Sequence, residues 1–277
     1  MKKHFYICAS LFISLTAALH AEAPFFKVNG SVKSYTQTTY LITQKFGDYY
    51  RTPDTSYVHT IGSNGLETDV SQVNAAGTII SRITYAYDDA GNKISQTCTD
   101  GAGTIEWKQT FTYENGLLKE ESEFKKDDTL SSKSIFKYSA DNKQTDESYY
   151  NGEGALIWKS ISKFDDNNRK LETLQYTADG QLDQRQVFTY NDAGNLVQID
   201  TFNNVDEQTE KVIYRYGDNN LVGETASTNI ANGTQTREFY KYDDAGNLTK
   251  VTTYSVSTKF GSTMNELVDM SEYTYTK

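Results

Sequence analysis

Aromatic residues recur along the chain at a nearly constant interval and open short polar stretches such as YNDAGNL at 190–196 and YDDAGNL at 242–248. We call these aromatic residues the anchors. The anchors are Tyr87, Tyr113, Tyr138, Phe164, Tyr190, Tyr216 and Tyr242, with steps of 26, 25, 26, 26, 26 and 26 residues. A fixed period is typical of a repeat architecture, in which each unit buries its apolar face against its neighbours.

Within each repeat, large apolar residues stand at even distances from the anchor. The position two before the anchor is aromatic in six of seven repeats, and Ser162 is the exception. Aromatic residues also follow the anchor by about twelve positions, at Phe124, Tyr150, Tyr176, Phe202 and Tyr254. Successive residues of a strand alternate between faces, so even offsets predict that both sets leave one face of extended strands. This period indicates strands and not helices.

A second turn-like cluster lies about halfway through each repeat, as in DGAG at 100–103 and NGEG at 151–154. Two turns leave room for two strands of about eight residues, which make one β-hairpin. We therefore predict a mainly β protein, an antiparallel β-meander repeat array of 26-residue hairpin units. The usual twist between strands should bend it into a curled single sheet with the aromatic face inward.

The predicted organisation has four parts. Residues 1–21 carry Lys2 and Lys3 before an apolar stretch and end at Ala21, the pattern of a secretory signal peptide. The repeat array spans 61–254. Residues 22–60 are expected to form N-terminal capping hairpins and residues 255–277 a C-terminal capping strand, because terminal repeats are usually atypical. The signal predicts export to the periplasm, the cell surface or the extracellular medium.

The net charge and the small numbers of cysteine and histidine residues limit the partners and the kinds of site that the chain can have. The net charge is −10, and loss of the two signal lysines would make it −12, so we expect no nucleic-acid partner. Without residues 1–21, only Cys98 and His59 remain of these two residue types. An intrachain disulfide, a zinc site and a histidine-dependent triad then have too few members. We expect no cofactor and no metal.

The acidic heptapeptide itself has two interpretations. Its Asp and Asn side chains can close a turn by bonding to the backbone, while Gly194 and Gly246 adopt the left-handed conformation. A calcium ion would require about six to eight oxygens, and each loop supplies only one or two carboxylates. The copy FDDNNRK at 164–170 lacks the glycine altogether. The turn interpretation is favoured, and the alternative is a weak calcium site shared between adjacent turns.

The YDDAGNL and YNDAGNL copies resemble the YD repeats of bacterial RHS-type secreted and cell-surface proteins, over about residues 61–254. In that family the repeats form long antiparallel sheets that coil, in the large members, into a hollow shell around a toxin. This chain differs from the large members in its short length and its 26-residue spacing, and we expect no additional C-terminal effector domain. The resemblance implies a β-rich exported scaffold and leaves the partner open.

A basic residue stands five positions before every anchor, on the face opposite the aromatic column by parity. These candidate binding residues are Arg82, Lys108, Lys133, Lys159, Arg185, Lys211 and Arg237. Equivalent positions in neighbouring hairpins should lie roughly 10 Å apart. The favoured interpretation pairs them across strands with acids such as Glu121, Asp146, Glu172 and Glu224. The alternative is a cationic stripe that binds an acidic polysaccharide.

Trp107 and Trp158 are two further candidate binding residues, both six positions before an anchor. Parity places them on the aromatic face. Core packing is the favoured role, and stacking on a sugar is the alternative.

These patterns predict an exported non-enzymatic repeat scaffold that binds a glycan or a protein partner at the cell envelope or surface. One alternative is a carboxylate-dependent glycan hydrolase, although no pair of acids stands apart from the repeat. Another is a purely structural shell fragment related to RHS-type toxin-delivery proteins. A membrane-spanning barrel would need a continuous apolar outer side. Basic and polar residues in most strands argue against it.

Overall fold

The computed structural model describes residues 27–259 and 262–277, so the predicted signal peptide lies outside the described residues. No membrane-spanning helix occurs in these two ranges. The described chain forms eighteen β-strands. They are β1 (Ser34–Lys45), β2 (Asp48–Ile61), β3 (Glu67–Asn74), β4 (Ile79–Tyr87), β5 (Lys93–Asp100), β6 (Ile105–Glu114), β7 (Leu117–Lys125), β8 (Leu130–Tyr138), β9 (Gln144–Asn151), β10 (Leu156–Phe164), β11 (Lys170–Thr177), β12 (Leu182–Tyr190), β13 (Leu196–Asn203), β14 (Gln208–Tyr216), β15 (Val222–Asn229), β16 (Gln235–Tyr242), β17 (Leu248–Lys259) and β18 (Ser262–Thr276).

Each strand pairs with the next one along the chain, and β1 pairs with β18. The last pairing is antiparallel and runs from Ser34 opposite Thr276 to Thr39 opposite Ser271. The mainly β antiparallel meander is therefore confirmed, and the single sheet is a closed barrel rather than a curled open sheet. The physical reason lies in the terminal segments. They pair their backbones with each other, which leaves neither edge open to other chains.

The acidic heptapeptide forms a hairpin turn, as predicted. In the copy at 87–93, a carboxylate oxygen of Asp88 accepts hydrogen bonds from the amides of Ala90 at 3.0 Å and Asn92 at 2.8 Å. The Asn92 side chain donates to the other oxygen at 2.9 Å, and Gly91 has a φ of +85°. These bonds, led by the one from the Asn92 side chain, lower the pKa of Asp88. Both carboxylate oxygens are thus used within the turn.

The anchor tyrosines connect successive hairpins. Each hydroxyl donates a hydrogen bond of 2.8 to 3.0 Å to the backbone carbonyl twenty residues earlier, at the start of a strand in the preceding hairpin. The pairs are Tyr87 with Glu67, Tyr113 with Lys93, Tyr138 with Leu118, Tyr190 with Lys170, Tyr216 with Leu196 and Tyr242 with Val222. This bond explains why tyrosine, and not phenylalanine, stands at six of the seven anchors.

The two faces of the wall differ in burial. On β12, Gln186 and Phe188 are buried whereas Thr189 is exposed, and Phe111 and Phe136 are buried at the position equivalent to Phe188. The aromatic residues two before the anchor therefore face the barrel interior, as expected. The interior is not purely apolar. It also contains buried Glu147, Ser160 and Thr173.

The aromatic residues about twelve positions after the anchor lie on the outer face, so the prediction of one shared aromatic face is wrong. Phe202 pairs directly with Arg185, and paired residues share a face. The cause is the bulge beside the turn, where the register shifts by one residue between Thr189 and Tyr190. Phe188, two before its anchor, pairs with Ile199, nine after it, so an even offset before the turn becomes an odd offset after it.

The single 25-residue step also arises at a turn. Between β6 and β7 the loop is shortened to Asn115 and Gly116, with φ values of 54° and 77°, and Glu114 pairs with Leu117. Such two-residue turns with positive φ at both positions favour Asn-Gly. The shortening preserves the face of each strand, because Phe124 still pairs with Lys108.

Candidate ligand-binding surface on the outer wall

The seven predicted cations lie on the outer face of the barrel, and four of them form ion pairs with acids of neighbouring strands or turns. The pairs are Arg82 with Asp69 at 2.9 Å, Arg185 with Glu172 at 3.7 Å and Asp206 at 2.5 Å, Lys211 with Asp200 at 4.0 Å, and Arg237 with Glu224 at 2.7 Å. Partly exposed pairs of this kind contribute about 0 to 1 kcal/mol each. The ion-pair interpretation thus accounts for four of the seven cations.

Two of the four acids expected beside this row, Glu172 and Glu224, pair with it. Glu121 does not, because it lies opposite Phe111 and faces the interior. That expectation failed because the loop after Tyr113 is one residue shorter, so Glu121, eight residues after its anchor, lies on the interior face, whereas Glu172 and Glu224, also eight after theirs, lie on the outer face. Asp146 lies opposite Lys137, and its carboxylate accepts a hydrogen bond from the Gln144 side chain at 2.8 Å.

The remaining three cations, Lys108, Lys133 and Lys159, lie on β6, β8 and β10, which belong to consecutive hairpins. Among the described residues, none of the three has a carboxylate within 4.0 Å. Their partners on one side carry hydroxyls, at Thr97, Ser122 and Ser148, and their partners on the other side are aromatic, at Phe124, Tyr150 and Tyr176. We call the three lysines and the three aromatic residues the lysine–aromatic sector.

The sector has a regular geometry. Adjacent strands are about 4.8 Å apart, so each ring lies one strand from a lysine and successive lysines are roughly 10 Å apart. The three rings are partly exposed, and Lys159 is exposed. Ammonium groups attract carboxylates or sulfates, while aromatic faces pack against flat apolar surfaces such as those of sugar rings. The sector can therefore contact a polymer that alternates charge with apolar surface.

Trp107 and Trp158 lie elsewhere, on the interior face. Trp158 stacks on Tyr149, with ring centroids 5.2 Å apart and planes 11° apart. Trp107 lies opposite Cys98, which is only 1% exposed. The barrel wall therefore separates both tryptophans from the lysine–aromatic sector, and their contacts are those of interior packing.

The interior contains a pair of acids, Glu147, which the sequence did not indicate as a candidate, and Glu121, which was expected on the outer face. The Ser134 hydroxyl donates to the Glu147 carboxylate at 2.7 Å, and Glu121 lies opposite Ser134 on the adjacent strand. Burial raises the pKa of Glu147 to about 7. Burial, and then the charge of Glu147, raise the pKa of Glu121 to about 7 as well. Glu121 lies opposite Phe111 and Glu147 opposite Phe136, so the register after each turn places both acids inside.

Comparisons with known proteins give structural similarities only. No family model matches the chain, and no curated protein matches it. A porin-like protein from Bacteroides uniformis is 11% identical, with 90% of this chain and 99% of that chain covered and a TM-score of 0.48. A porin-like protein from Bacteroides vulgatus is 10% identical, with coverages of 88% and 98% and a TM-score of 0.32. A TcdB2-TccC3 complex is 12% identical, with coverages of 82% and 19% and a TM-score of 0.17. At these values none of them shows a family or a function.

Proposed function

We propose that this protein is an exported, non-enzymatic β-barrel that binds an acidic polysaccharide at the lysine–aromatic sector. The observation that carries the proposal is the grouping of Lys108, Lys133 and Lys159. In a chain of net charge −10, the row is neutralised by acids at four positions, and the three cations that lack a carboxylate partner among the described residues fall on consecutive hairpins. Grouped cations in an acidic protein favour a specific local contact over long-range attraction.

A polysaccharide fits the sector better than a folded protein does. A regular row of side chains on a smooth wall can contact successive units of a repeating polymer, and each added contact increases the affinity through avidity. Alternating rings and ammonium groups match a polymer with an anionic group about every 10 Å, the spacing expected for every second strand. The repeat architecture extends such a surface without adding a unique pocket.

The interior acids do not favour a hydrolase. A glycan hydrolase needs two carboxylates that reach the same glycosidic bond. Glu147 is 3% exposed, its carboxylate accepts a hydrogen bond from Ser134, and it faces the inside of a closed wall. A polymer on the outer face cannot reach it. The signal-like residues 1–21 support the exported location, and kinship with RHS-type proteins remains part of the proposal.

Replacing all three lysines of the sector with glutamine is expected to weaken binding to immobilised polygalacturonate at least tenfold, because three charge-assisted contacts are lost. The measurement is surface plasmon resonance at low and physiological salt. Neutral dextran should bind the wild type much more weakly than polygalacturonate. Increasing salt should weaken wild-type binding, since exposed charges are screened.

A matched control is the triple variant Arg82→Gln, Lys211→Gln and Arg237→Gln. It removes the same amount of charge from the same row at positions that are ion-paired, and its affinity should stay within about twofold of the wild type. If both triple variants lose the same affinity for polygalacturonate, the loss depends on net charge alone, and binding at the lysine–aromatic sector is contradicted. Release of reducing ends from the bound polymer would contradict the non-enzymatic assignment.

A further inference from the structure

The hairpin of β1 and β2, like the neighbouring hairpin of β17 and β18, extends beyond the strands of the repeat array. Strands β3 to β16 have eight to ten residues, whereas β1 has twelve and β2 has fourteen. The pairing of β1 with β18 ends at Thr39, so residues 40–45 and their partners 48–53 continue past it. Six strand residues extend about 20 Å. We call residues 40–53 the tip hairpin.

Phe46 has a positive φ, a backbone conformation that the other described residues adopt only where they are glycine, asparagine or aspartate. Its φ is 54°, in the left-handed region. The other described non-glycine residues with positive φ are all asparagine or aspartate, at Asn115, Asp128, Asn142, Asn168, Asp206 and Asn220. Asn and Asp tolerate this region, whereas a bulky side chain there is strained. Strain that persists at one position points to a function of the side chain.

The Phe46 ring is also fully exposed to solvent, with a relative exposure of 104%. Leu41 and Tyr50 lie behind it on one face of the hairpin and are 58% and 53% exposed. The opposite face packs against β18, where the Leu267 amide donates to the Tyr49 hydroxyl at 3.3 Å and Arg51 pairs with Glu272. One face of the tip hairpin is therefore held by β18, while Phe46 at the tip and Leu41 and Tyr50 on the other face are exposed within the described part of the chain.

The charge of the tip hairpin differs from that of the whole chain. Residues 40–53 contain Lys45, Arg51 and Asp48 as their only charged residues, a local net charge of +1 in a protein of net charge −10. Because Arg51 pairs with Glu272, Lys45 and Asp48 leave the segment close to neutral, so it lacks the excess of acids by which the rest of the molecule would be repelled from an anionic surface.

We propose that the tip hairpin attaches the barrel to a lipid surface by inserting Phe46 into the interface between the headgroups and the acyl chains. The order of groups matches such an interface, with an apolar ring at the end, Tyr50 behind it, and the basic group of Lys45 near the headgroups. A single ring gives weak, reversible attachment, in contrast to a spanning segment. The attachment is separate from the polysaccharide contact on β6 to β11.

The test compares the wild type with Phe46→Asn in cosedimentation with vesicles of phosphatidylglycerol and phosphatidylethanolamine. Asparagine suits the left-handed turn, so the variant should fold with an equal or higher melting temperature while its vesicle-bound fraction falls at least fivefold. A Phe46→Trp variant should bind like the wild type and shift its added emission to shorter wavelength on the vesicles. Val205→Asn is the matched control, because Val205 is an exposed apolar residue of another turn, 66% exposed. It should bind like the wild type.

Two outcomes would overturn the proposal. The first is vesicle binding that is absent in the wild type or unchanged in Phe46→Asn. The second is self-association of the wild type that Phe46→Asn abolishes without any vesicle binding, which would assign the ring to a second copy of the chain. Polygalacturonate binding should be equal in the wild type and Phe46→Asn, so failure here leaves the polysaccharide proposal standing.

Discussion

Replacing Glu147 with glutamine is expected to raise the free energy of unfolding by up to about 3 kcal/mol at pH 8. Burial raises the pKa of this carboxyl from 4.5 to about 7, and each unit of difference between folded and unfolded states corresponds to about 1.4 kcal/mol. Glutamine has the same shape and can still accept the hydrogen bond from Ser134. The measurement is urea unfolding of the wild type and the variant at pH 4, 6 and 8.

The direction of the pH dependence follows from the difference in proton binding between the folded and the unfolded state. The folded state holds the proton more tightly than the unfolded state, so the Glu147 contribution is fully present below about pH 4.5 and is lost as the pH rises to about 7. The difference between variant and wild type should therefore be small at pH 4 and largest at pH 8. Glu172→Gln is the control, because Glu172 lies on the outer wall with Lys163 and Arg185. If the free energy of unfolding of Glu147→Gln does not exceed that of the wild type at pH 8, a raised pKa of the buried Glu147 carboxyl is contradicted.

Replacing Phe188 with alanine is expected to cost about 3 to 5 kcal/mol of folding free energy. Phe188 is 5% exposed and packs in the interior with Leu196 and Ile199, so its removal leaves a cavity that the surrounding wall fills only in part. Denaturant unfolding of wild type and variant at one pH measures the difference directly.

Phe202→Ala is the matched control on the opposite face. Phe202 is only partly buried, with the Arg185 guanidinium 4.3 Å from its ring centroid, so its loss should cost about 1 kcal/mol. Equal costs for the two substitutions would place both rings on one face, as even spacing alone predicts, and would contradict the switch of parity across the turn.

The repeat, the hairpins and the turn chemistry were accessible from the sequence because each depends on local residue types. A glycine and an Asx residue at fixed offsets specify a turn, and two turns per 26 residues leave two strands. The assignment of faces failed after the anchor, since the register across each turn depends on a bulge such as the one between Thr189 and Tyr190. No residue type in the heptapeptide predicts this one-residue shift of the register.

Barrel closure and the lysine–aromatic sector were beyond the sequence for a different reason. Closure depends on the pairing of β1 with β18, whose sequences are far apart and irregular. The seven cations look equivalent in the repeat, and only their cross-strand neighbours distinguish Lys133, next to Ser122, from Arg82, which pairs with Asp69. Phe46 is conspicuous only once its backbone conformation is known.

Disulfide formation across the seam between the terminal strands tests the closed barrel most directly. Thr36 and Thr274 are direct partners on the outer face. Paired residues of antiparallel strands have Cα atoms about 4.5 to 5.5 Å apart, within the range of a disulfide. The double variant Thr36→Cys and Thr274→Cys should oxidise to a faster-migrating monomer on non-reducing gels. The control Val58→Cys and Thr274→Cys places the thiols two strands apart and should stay reduced, as should the single variants. Failure of the seam pair to cross-link in the folded monomer, or equal cross-linking of the control pair, would contradict closure.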